Sequence, residues 1–330
     1  MEAIGTRYLS AADVDAAMPP VEERLELAQR TLTALVADAE LPPKIGVHPR
    51  PQGSFAHAMP AALRDPAGAD LLGIKWVAGF PDNRAAGLPA IHAVVILSDP
   101  TTGQPRAILD GGGITAQRTA AVSGVALTRF GPVGLDRPPR VAMIGAGVQG
   151  HSHLAVLGHV LPGVELQIHD RHPDRASALA DAARRTAGIA AARAVARAQA
   201  AVHDADVVIT AVSFTDPAQR QSMTADWLTP DALVIPVDYA TMCSAAVAEG
   251  AAAFLVDDRG QFLANRDAGQ FDGYPDPTAT IGEAILSGME RPAAGRVVVT
   301  HLGVGLADVV FADAIVRRAE AAGLGTALGA

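Results

Sequence analysis

Residues 141–150 read Val141-Ala-Met-Ile-Gly145-Ala-Gly147-Val-Gln-Gly150, an apolar run that leads into three closely spaced glycines. Gly145 permits a tight turn, Gly147 lets a phosphate approach the backbone, and Gly150 lets the following helix pack on the strand. Asp170 follows 20 residues later, at the end of the next apolar run, which is the context that this glycine pattern requires. The segment therefore predicts a dinucleotide site at the start of a Rossmann-type sheet.

Strand and helix patterns alternate after residue 140. Apolar runs at 141–144, 164–169, 206–211, 232–236, 252–256 and 297–300 predict strands. Such alternation predicts a parallel sheet that is covered by helices on both faces. The arginines of 171–197 alternate with alanine and acids, which predicts a solvated helix face, and His151 and His153, on the helix after the glycine loop, are expected at the surface.

The pattern ahead of residue 140 is different. A helix is predicted over 20–38, before Pro42 and Pro43, and short β-like runs follow at 45–48, 54–59, 71–77, 91–98 and 105–109. A helix is predicted over 115–130, a linker over 131–140 and a last, amphipathic helix over 307–322. The fold class predicted is α/β, with a doubly wound parallel-sheet domain beside an α+β domain.

Composition excludes several classes of protein. A chain of 330 residues with 49% hydrophobic and 18% charged residues suits two globular, soluble domains. The formal net charge is -9, and no run of Lys and Arg marks a nucleic-acid or membrane surface. The single cysteine, Cys243, rules out a disulfide within the chain and favours a reducing cytoplasm. Neither a signal peptide nor an apolar run of about 18 residues is apparent, so no membrane partner is expected.

Three cations lie in or beside apolar segments of this acidic chain, namely Lys44, Lys75 and Arg118. A substrate carboxylate needs such a clamp, and arginine supplies it with a planar fork. Lys75 lies in an apolar strand and is expected to have a lowered pKa. The plainer explanation for Lys75 is a strand lysine whose ammonium reaches water. The plainer explanation for Arg118 is an arginine that caps a helix or binds a phosphate. Arg50 is an alternative carboxylate ligand, although its surroundings indicate an exposed loop.

Asp238 follows the apolar run Val234-Ile-Pro-Val, at the carboxyl end of a predicted strand. Ligands bind at that edge of an open parallel sheet. A carboxylate in this place can carry a proton to or from an amine nitrogen. The plainer explanation is a helix N-cap.

Several motifs, spread in order over nearly the whole chain, resemble those of the ornithine cyclodeaminase/mu-crystallin family. They are His57-Ala-Met59-Pro60, Gly73-Ile-Lys75-Trp-Val-Ala-Gly-Phe-Pro81-Asp-Asn83, Asp99-Pro-Thr-Thr-Gly103, Asp110, Thr115-Ala-Gln-Arg118-Thr119-Ala120 and His301-Leu-Gly303-Val-Gly-Leu-Ala-Asp308. The resemblance implies a substrate-binding and dimerisation domain from residues 1–125 with 305–330, and a NAD-binding Rossmann domain from residues 126–304. It also implies a homodimer, and a small amino or imino acid whose carboxylate is held beside the nicotinamide.

The resemblance also implies roles for individual residues. Lys75 and Asp238 match catalytic positions. The predicted substrate ligands are Lys44, His57, Met59, Lys75, Arg118, Leu302 and Gly303. The predicted cofactor ligands are Arg118, Thr119, Gly145, Ala146, Gly147, Val148, Gln149, Gly150, Asp170, Arg171, Val237 and His301. No motif for a metal site is present.

The sequence departs from the ornithine cyclodeaminases at two places. These enzymes carry a glutamate where His57 stands and a lysine where Met242 stands, so a second acid that could hold a distal ammonium is missing. A NAD-dependent amino-acid dehydrogenase or imine reductase is therefore favoured. A redox-neutral cyclodeaminase and a non-catalytic small-ligand binder remain as alternatives. NAD is favoured over NADP because Asp170 repels a 2′-phosphate, although Arg171 and Arg175 act in the opposite direction.

Overall fold

The computed structural model describes residues 5–213 and 217–329. These residues form two compact units. The first comprises the described residues up to Arg118 together with those from Gly303 onward, and the second runs from Thr119 to Leu302. The sequence-based boundaries lay at 125 and 304. The first boundary in the structure falls inside a continuous helix, where no change of composition marks it.

The described residues contain both strands and helices throughout. The strands, in chain order, are β1 (Arg7–Leu9), β2 (Ala39–Glu40), β3 (Ile45–Val47), β4 (Phe55–Leu63), β5 (Leu71–Gly79), β6 (Ile91–Ser98), β7 (Pro105–Asp110), β8 (Arg140–Ile144), β9 (Val164–His169), β10 (Ile189–Ala194), β11 (Val207–Thr210), β12 (Leu233–Pro236), β13 (Ala253–Val256), β14 (Ala279–Thr280), β15 (Val297–Thr300) and β16 (Thr326–Ala327). The helices are α1 (Ala11–Ala16), α2 (Val21–Ala37), α3 (Gly112–Phe130), α4 (Val148–Val160), α5 (Pro173–Arg184), α6 (Ala198–Val202), α7 (Ala245–Glu249), α8 (Arg259–Asp267), α9 (Ile281–Leu286) and α10 (Gly305–Ala321).

A largely antiparallel sheet forms the first unit. Its strand order is β16-β1-β7-β6-β5-β4-β2, and β3 pairs with β4. Burial alternates along β5, so that Gly73, Lys75 and Val77 are buried whereas Ile74 and Trp76 are more exposed. Helix α10 packs against β4, β5 and β6. The alternation therefore places Lys75 on the buried face of this sheet.

A parallel sheet forms the second unit, in the order β10-β9-β8-β11-β12-β15-β13-β14. The strands β11, β12, β13 and β15 are buried along their whole length. Strands that are covered on both faces are continuous apolar runs, as here, because no face meets water. The structure thus confirms the predicted α/β class with a doubly wound parallel sheet.

Two features of the second unit differ from the sequence-based expectation. Residues 189–194, expected within a solvated helix, form the strand β10. This strand is rich in alanine and buries only Ala192, so its sequence carries no apolar period that would mark it. Strand β15 inserts between β12 and β13 although it follows both in sequence, which the alternation of strands and helices alone does not specify.

The last long helix, α10, also differs from expectation. It was expected to be amphipathic, but most of its circumference is buried, including the acids Asp308 and Asp313. A buried carboxylate requires a partner that stabilises its charge. That requirement makes Asp308 a candidate for the functional site.

Candidate active site

The glycine loop has the backbone geometry that the sequence predicts. Gly145 follows β8 with φ +107°, and a Cβ atom on it would lie 2.4 Å from the carbonyl oxygen of Ala211. A Cβ on Gly150 would lie 2.6 Å from the carbonyl oxygen of Gly145. Both positions therefore require glycine, because any side chain would collide with backbone.

The loop also has room and donors for a phosphate. A Cβ on Gly147 would meet no atom within 4 Å, and Gly147 caps α4 without any side-chain hydrogen bond. The first N–H groups of a helix have no partner within the helix, and the helix dipole favours an anion there. The open space at Gly147 and this uncapped helix start fit a dinucleotide pyrophosphate.

The Asp170 carboxylate is fixed next to this loop. One oxygen accepts a hydrogen bond from the Ala146 N–H at 2.8 Å, and the other accepts one from the His172 N–H at 2.8 Å. Asp170 directly follows β9, at the carboxyl edge of the sheet. A carboxylate held in this way can still accept hydrogen bonds from the hydroxyl groups of a ribose, because each oxygen has a further lone pair.

Asp238 lies at the same sheet edge, two residues after β12. It is only 4% exposed, and its two oxygens accept hydrogen bonds from the Thr210 hydroxyl at 2.9 Å and the Val212 N–H at 3.0 Å. Burial raises the pKa of Asp238 to about 7, and these hydrogen bonds only partly oppose that rise. At neutral pH the carboxyl group can therefore both give and take a proton.

The backbone beside Asp238 is unusual. Tyr239 has φ +61°, a conformation that residues other than glycine seldom adopt. Its hydroxyl donates a hydrogen bond to the Leu302 carbonyl oxygen at 3.3 Å. Strained backbone of this kind clusters at functional sites.

His301 directly follows β15 and is 2% exposed. Its Nε2 lies 2.9 Å from the Ser123 hydroxyl oxygen, which lies 2.9 Å from Nε2 of His153. The expectation that His153 is a surface residue was wrong, since its side chain is fully buried. It faces inward from α4, where its Nε2 meets the Ser123 hydroxyl of α3. His151 is exposed, as expected.

The first unit brings two of the predicted clamp residues together. Nζ of Lys75 lies 2.7 Å from one oxygen of Asp308, and Nε of Arg118 lies 3.3 Å from the other. All three side chains are less than a tenth exposed. Burial lowers the pKa of Lys75 to about 7, the Asp308 carboxylate partly restores it, and the Arg118 charge lowers it further.

Asp308 stands in a motif that resembles the family's, but no role in the site was predicted for it. The signal available was an acid in the apolar stretch of residues 305–312, in a chain whose only two lysines are Lys44 and Lys75. A buried acid of that kind needs a cationic partner. The sequence did not reveal which cation is the partner, because Asp308 is 190 residues from Arg118 in sequence.

Three further predicted substrate ligands lie around this cluster. Met59 pairs with Lys75 across β4 and β5. Gly303 has φ +78°, and a Cβ on it would lie 2.3 Å from the Arg118 guanidinium, so a side chain there would displace the arginine. Lys44 is half-buried, and its charge contributes to the lowered pKa of Lys75.

His57 cannot replace the missing acid by charge. Burial lowers its pKa to about 4, and the Lys44 charge lowers it further. Its ring stacks on Phe55 with the ring centres 4.6 Å apart. The imidazole is therefore neutral near pH 7 and offers a hydrogen bond rather than a negative charge.

The remaining predicted cofactor ligands lie along the second unit. Ala146, Val148 and Gln149 belong to the glycine loop and the first turn of α4, Arg171 is exposed after Asp170, Val237 follows β12 and Thr119 is buried in α3. Leu302, a predicted substrate ligand, follows His301 in the same unit. Their roles stay predictions. Among residues 5–213 and 217–329, no group of three or more His, Cys, Asp or Glu is placed to hold a metal ion. No helix in that part of the chain is long and apolar enough to cross a membrane.

Fold and site together define a two-unit α/β protein with a Rossmann-type dinucleotide cradle and a buried Lys–Asp–Arg cluster. The chain belongs to the ornithine cyclodeaminase/mu-crystallin family, whose model matches residues 6–246. It is 34% identical over 326 residues, 97% of each chain, to the nodulation efficiency protein NfeD of Rhizobium meliloti. It is 29% identical over 266 residues to the ketimine reductase mu-crystallin of Mus musculus, covering 79% of each chain.

The fold is also shared with a solved structure. This is the Thermococcus litoralis Delta(1)-pyrroline-2-carboxylate reductase in complex with NADH and L-proline, with a TM-score of 0.83 and 23% sequence identity. The comparison covers 98% of this chain and 100% of the other.

Proposed function

We propose that this chain is a NAD(H)-dependent oxidoreductase that interconverts small 2-imino and 2-amino acids. The observation that carries the proposal is the buried cluster of Lys75, Asp308 and Arg118. When Lys75 is protonated, the two cations and one anion leave one net positive charge in a place that water barely reaches. A single carboxylate neutralises that charge, and it is the group that 2-imino and 2-amino acids share.

Asp308 shapes the clamp for this purpose. By accepting a hydrogen bond from Nε of Arg118, Asp308 orients the guanidinium so that its terminal nitrogens can bind a carboxylate. By pairing with Lys75 it raises the pKa of that lysine, which favours the ammonium form that a carboxylate ligand needs. An arriving carboxylate favours the same form.

Asp238 is the proposed proton donor to the imine nitrogen and the acceptor in the reverse direction. Its pKa of about 7 keeps both protonation states available near neutrality. The Thr210 and Val212 hydrogen bonds hold the carboxyl group at the carboxyl edge of the sheet, on the unit that also carries the glycine loop. When bound, a reduced nicotinamide supplies the hydride to the imine carbon.

The cofactor proposed is NAD rather than NADP. Asp170 next to the glycine loop can bind the adenosine ribose hydroxyls and would repel a 2′-phosphate. Two proteins similar to this chain are named as reductases of imines, and one of them was solved with NADH. These names support the proposal.

Two assays on one sample test the reaction class. Absorbance reports net NADH oxidation with a cyclic imine carboxylate, or with a small 2-keto acid plus ammonia or methylamine. An ammonia electrode reports deamination of ornithine and lysine with catalytic NAD. The proposal expects NADH consumption in the first assay. Ammonia release from ornithine at constant NADH would instead establish a cyclodeaminase, and tight binding of a hydrophobic ligand without either reaction would establish a binder.

The exposed face of the first sheet supports a homodimer. In register across four strands it presents Tyr8, Ile108, Ile96 and Ile74, and beside Ile74 lies Trp76, which is 47% exposed. An apolar surface of this kind marks an interaction site. A second copy of the chain presents the same surface and can cover it around a two-fold axis.

Sedimentation tests the dimer with two matched variants. Trp76→Asp places a charge on the sheet face and is expected to yield monomers. Val133→Asp changes another exposed apolar residue, 81% exposed in the second unit, and is expected to leave the mass unchanged. A monomeric wild type would overturn the dimer without affecting the proposed reaction.

A further inference from the structure

A line of three buried side chains in the second unit takes no part in the chemistry described above. It runs from His301 at the carboxyl end of β15 to Ser123 on α3 and His153 on α4, and it ends on a backbone carbonyl of the glycine-loop helix, that of Gln149. Ser123 and His153 are fully buried. Buried polar groups of this kind are hydrogen-bonded in a defined direction, because an unmatched donor or acceptor is costly.

The direction of hydrogen bonding along this line follows from its last bond, which joins His153 to the Gln149 carbonyl group. Nδ1 of His153 lies 2.6 Å from the Gln149 carbonyl oxygen. A carbonyl oxygen only accepts, so Nδ1 of His153 carries the hydrogen. Burial lowers the pKa of His153 to about 4, so the ring is neutral at pH 7 and its Nε2 carries none.

The other two bonds are then determined in turn. The bare Nε2 of His153 must accept, so the Ser123 hydroxyl donates to it at 2.9 Å. A hydroxyl has one hydrogen, and the Ser123 oxygen must therefore accept from Nε2 of His301, also at 2.9 Å. In its neutral form His301 then carries its hydrogen on Nε2 and has Nδ1 as an acceptor.

We propose that Ser123 and His153 are positioning residues that fix the tautomer of His301, so that its Nδ1 accepts a hydrogen bond from an N–H group of the bound ligand. The inference rests on the proposed function for the identity of that ligand. The N–H group belongs either to the carboxamide of the nicotinamide or to the nitrogen of the substrate. His301 lies at the sheet edge where a parallel sheet binds its ligands.

The tautomers can be measured directly in the wild-type protein. In ¹⁵N-histidine-labelled protein, long-range proton–nitrogen spectra separate the two nitrogens of each neutral ring. The chain has 10 histidines, and His301→Gln and His153→Gln assign the two required signals. The proposal expects hydrogen on Nε2 of His301 and on Nδ1 of His153. The opposite tautomer at either ring would overturn it.

Enzyme kinetics test the consequence with three variants. Ser123→Ala removes the link in the line, and Ser123→Thr restores a hydroxyl. Ser152→Ala is the matched control, because the Ser152 hydroxyl donates at 3.0 Å to the same Gln149 carbonyl without joining the line. Loss of one directed hydrogen bond is expected to weaken ligand binding on the order of tenfold in Ser123→Ala, with recovery in Ser123→Thr and no change in Ser152→Ala.

The two sources of the N–H group give different results. A weaker NADH affinity without substrate, measured by fluorescence, assigns the group to the carboxamide. An unchanged NADH affinity with a raised KM assigns it to the substrate. If Ser123→Ala changes neither quantity, or changes both no more than Ser152→Ala does, the positioning role is refuted.

Failure of the proposed function gives a separate signature. A wild type that oxidises no NADH with any imine or keto-acid substrate, yet shows the expected tautomers, would refute the reductase and leave the line of hydrogen bonds established. NADH affinity in Ser123→Ala would then still decide its role.

Discussion

The ammonium of Lys75 is expected to titrate near pH 7 rather than at its ordinary value of 10.5. The cause is burial: the side chain is 1% exposed, and Asp308 at 2.7 Å only partly offsets the loss of water. The difference of about 3.5 pH units corresponds to on the order of 5 kcal/mol. The folded chain holds this proton more weakly than the unfolded chain does. Stability therefore rises with pH from about 7 to 10.5, and below about 7 the cost of the buried charge is fully present.

The chain is well suited to this measurement because Lys44 and Lys75 are its only lysines. Protein labelled with ¹³C-lysine gives two Cε signals, and Lys44→Met assigns them. The Lys75 signal should shift with a midpoint near pH 7. A midpoint near 10.5 would refute the argument, because the ammonium would then not have lost its hydration.

A second variant separates the effect of burial on the Lys75 pKa from the effect of the Asp308 charge. Asp308→Asn keeps the size of the side chain and removes the charge that raises the Lys75 pKa. A hydrogen bond to a charged group contributes about 1.5–3 kcal/mol, so the midpoint should fall by about one to two pH units. An unchanged midpoint in Asp308→Asn would mean that the ion pair does not form in solution.

The remaining predictions concern three residues of the second unit, namely Asp238, Gly150 and Asp170. Asp238→Asn should lower reductive kcat on the order of 10²–10⁴-fold, the usual contribution of a positioned general acid, while NADH affinity measured by fluorescence stays within a few-fold. In the wild type, reductive kcat/KM should fall as pH rises through about 7, because Asp238 loses the proton it must donate and Lys75 loses the charge that binds the carboxylate. A flat profile from pH 6 to 9 would contradict both roles. Gly150→Val should abolish NADH binding in fluorescence titrations, since its Cβ would lie 2.6 Å from the Gly145 carbonyl oxygen. NADH should bind more tightly than NADPH, and Asp170→Asn should narrow the difference between the two affinities. Equal affinities in the wild type would show that Arg171 or Arg175 outweighs Asp170.

The nucleotide half of this protein was predictable because its determinants are local. The turn at Gly145, the helix start at Val148 and the acid at Asp170 lie within one strand–helix–strand unit. Backbone sterics and helix-end geometry act over a few residues, so the order of glycines and apolar runs suffices to specify them. The α/β class, which the structure confirms, was predictable because apolar runs of strand length separated by helices are compatible with few other arrangements.

The edge strand β10 and the inserted strand β15 were harder to predict from the sequence. Strand β10 is held by pairing with β9 and not by an apolar pattern of its own, so its sequence alone resembled a helix face. The position of β15 between β12 and β13 is a choice among sheet orders that only packing makes.

Which charges meet depends on the tertiary structure. The amino-acid order was enough to predict that Lys75 and Arg118 lie in or beside apolar segments, and that Asp238 follows a strand. It did not determine that Asp308, from the last long helix, joins the two cations, or that His301 reaches Ser123 across 178 residues. Local propensity and periodicity carry no information over such separations. The pairing is decided by the cost of burying a charge or a polar group without a partner, which only a complete fold can satisfy.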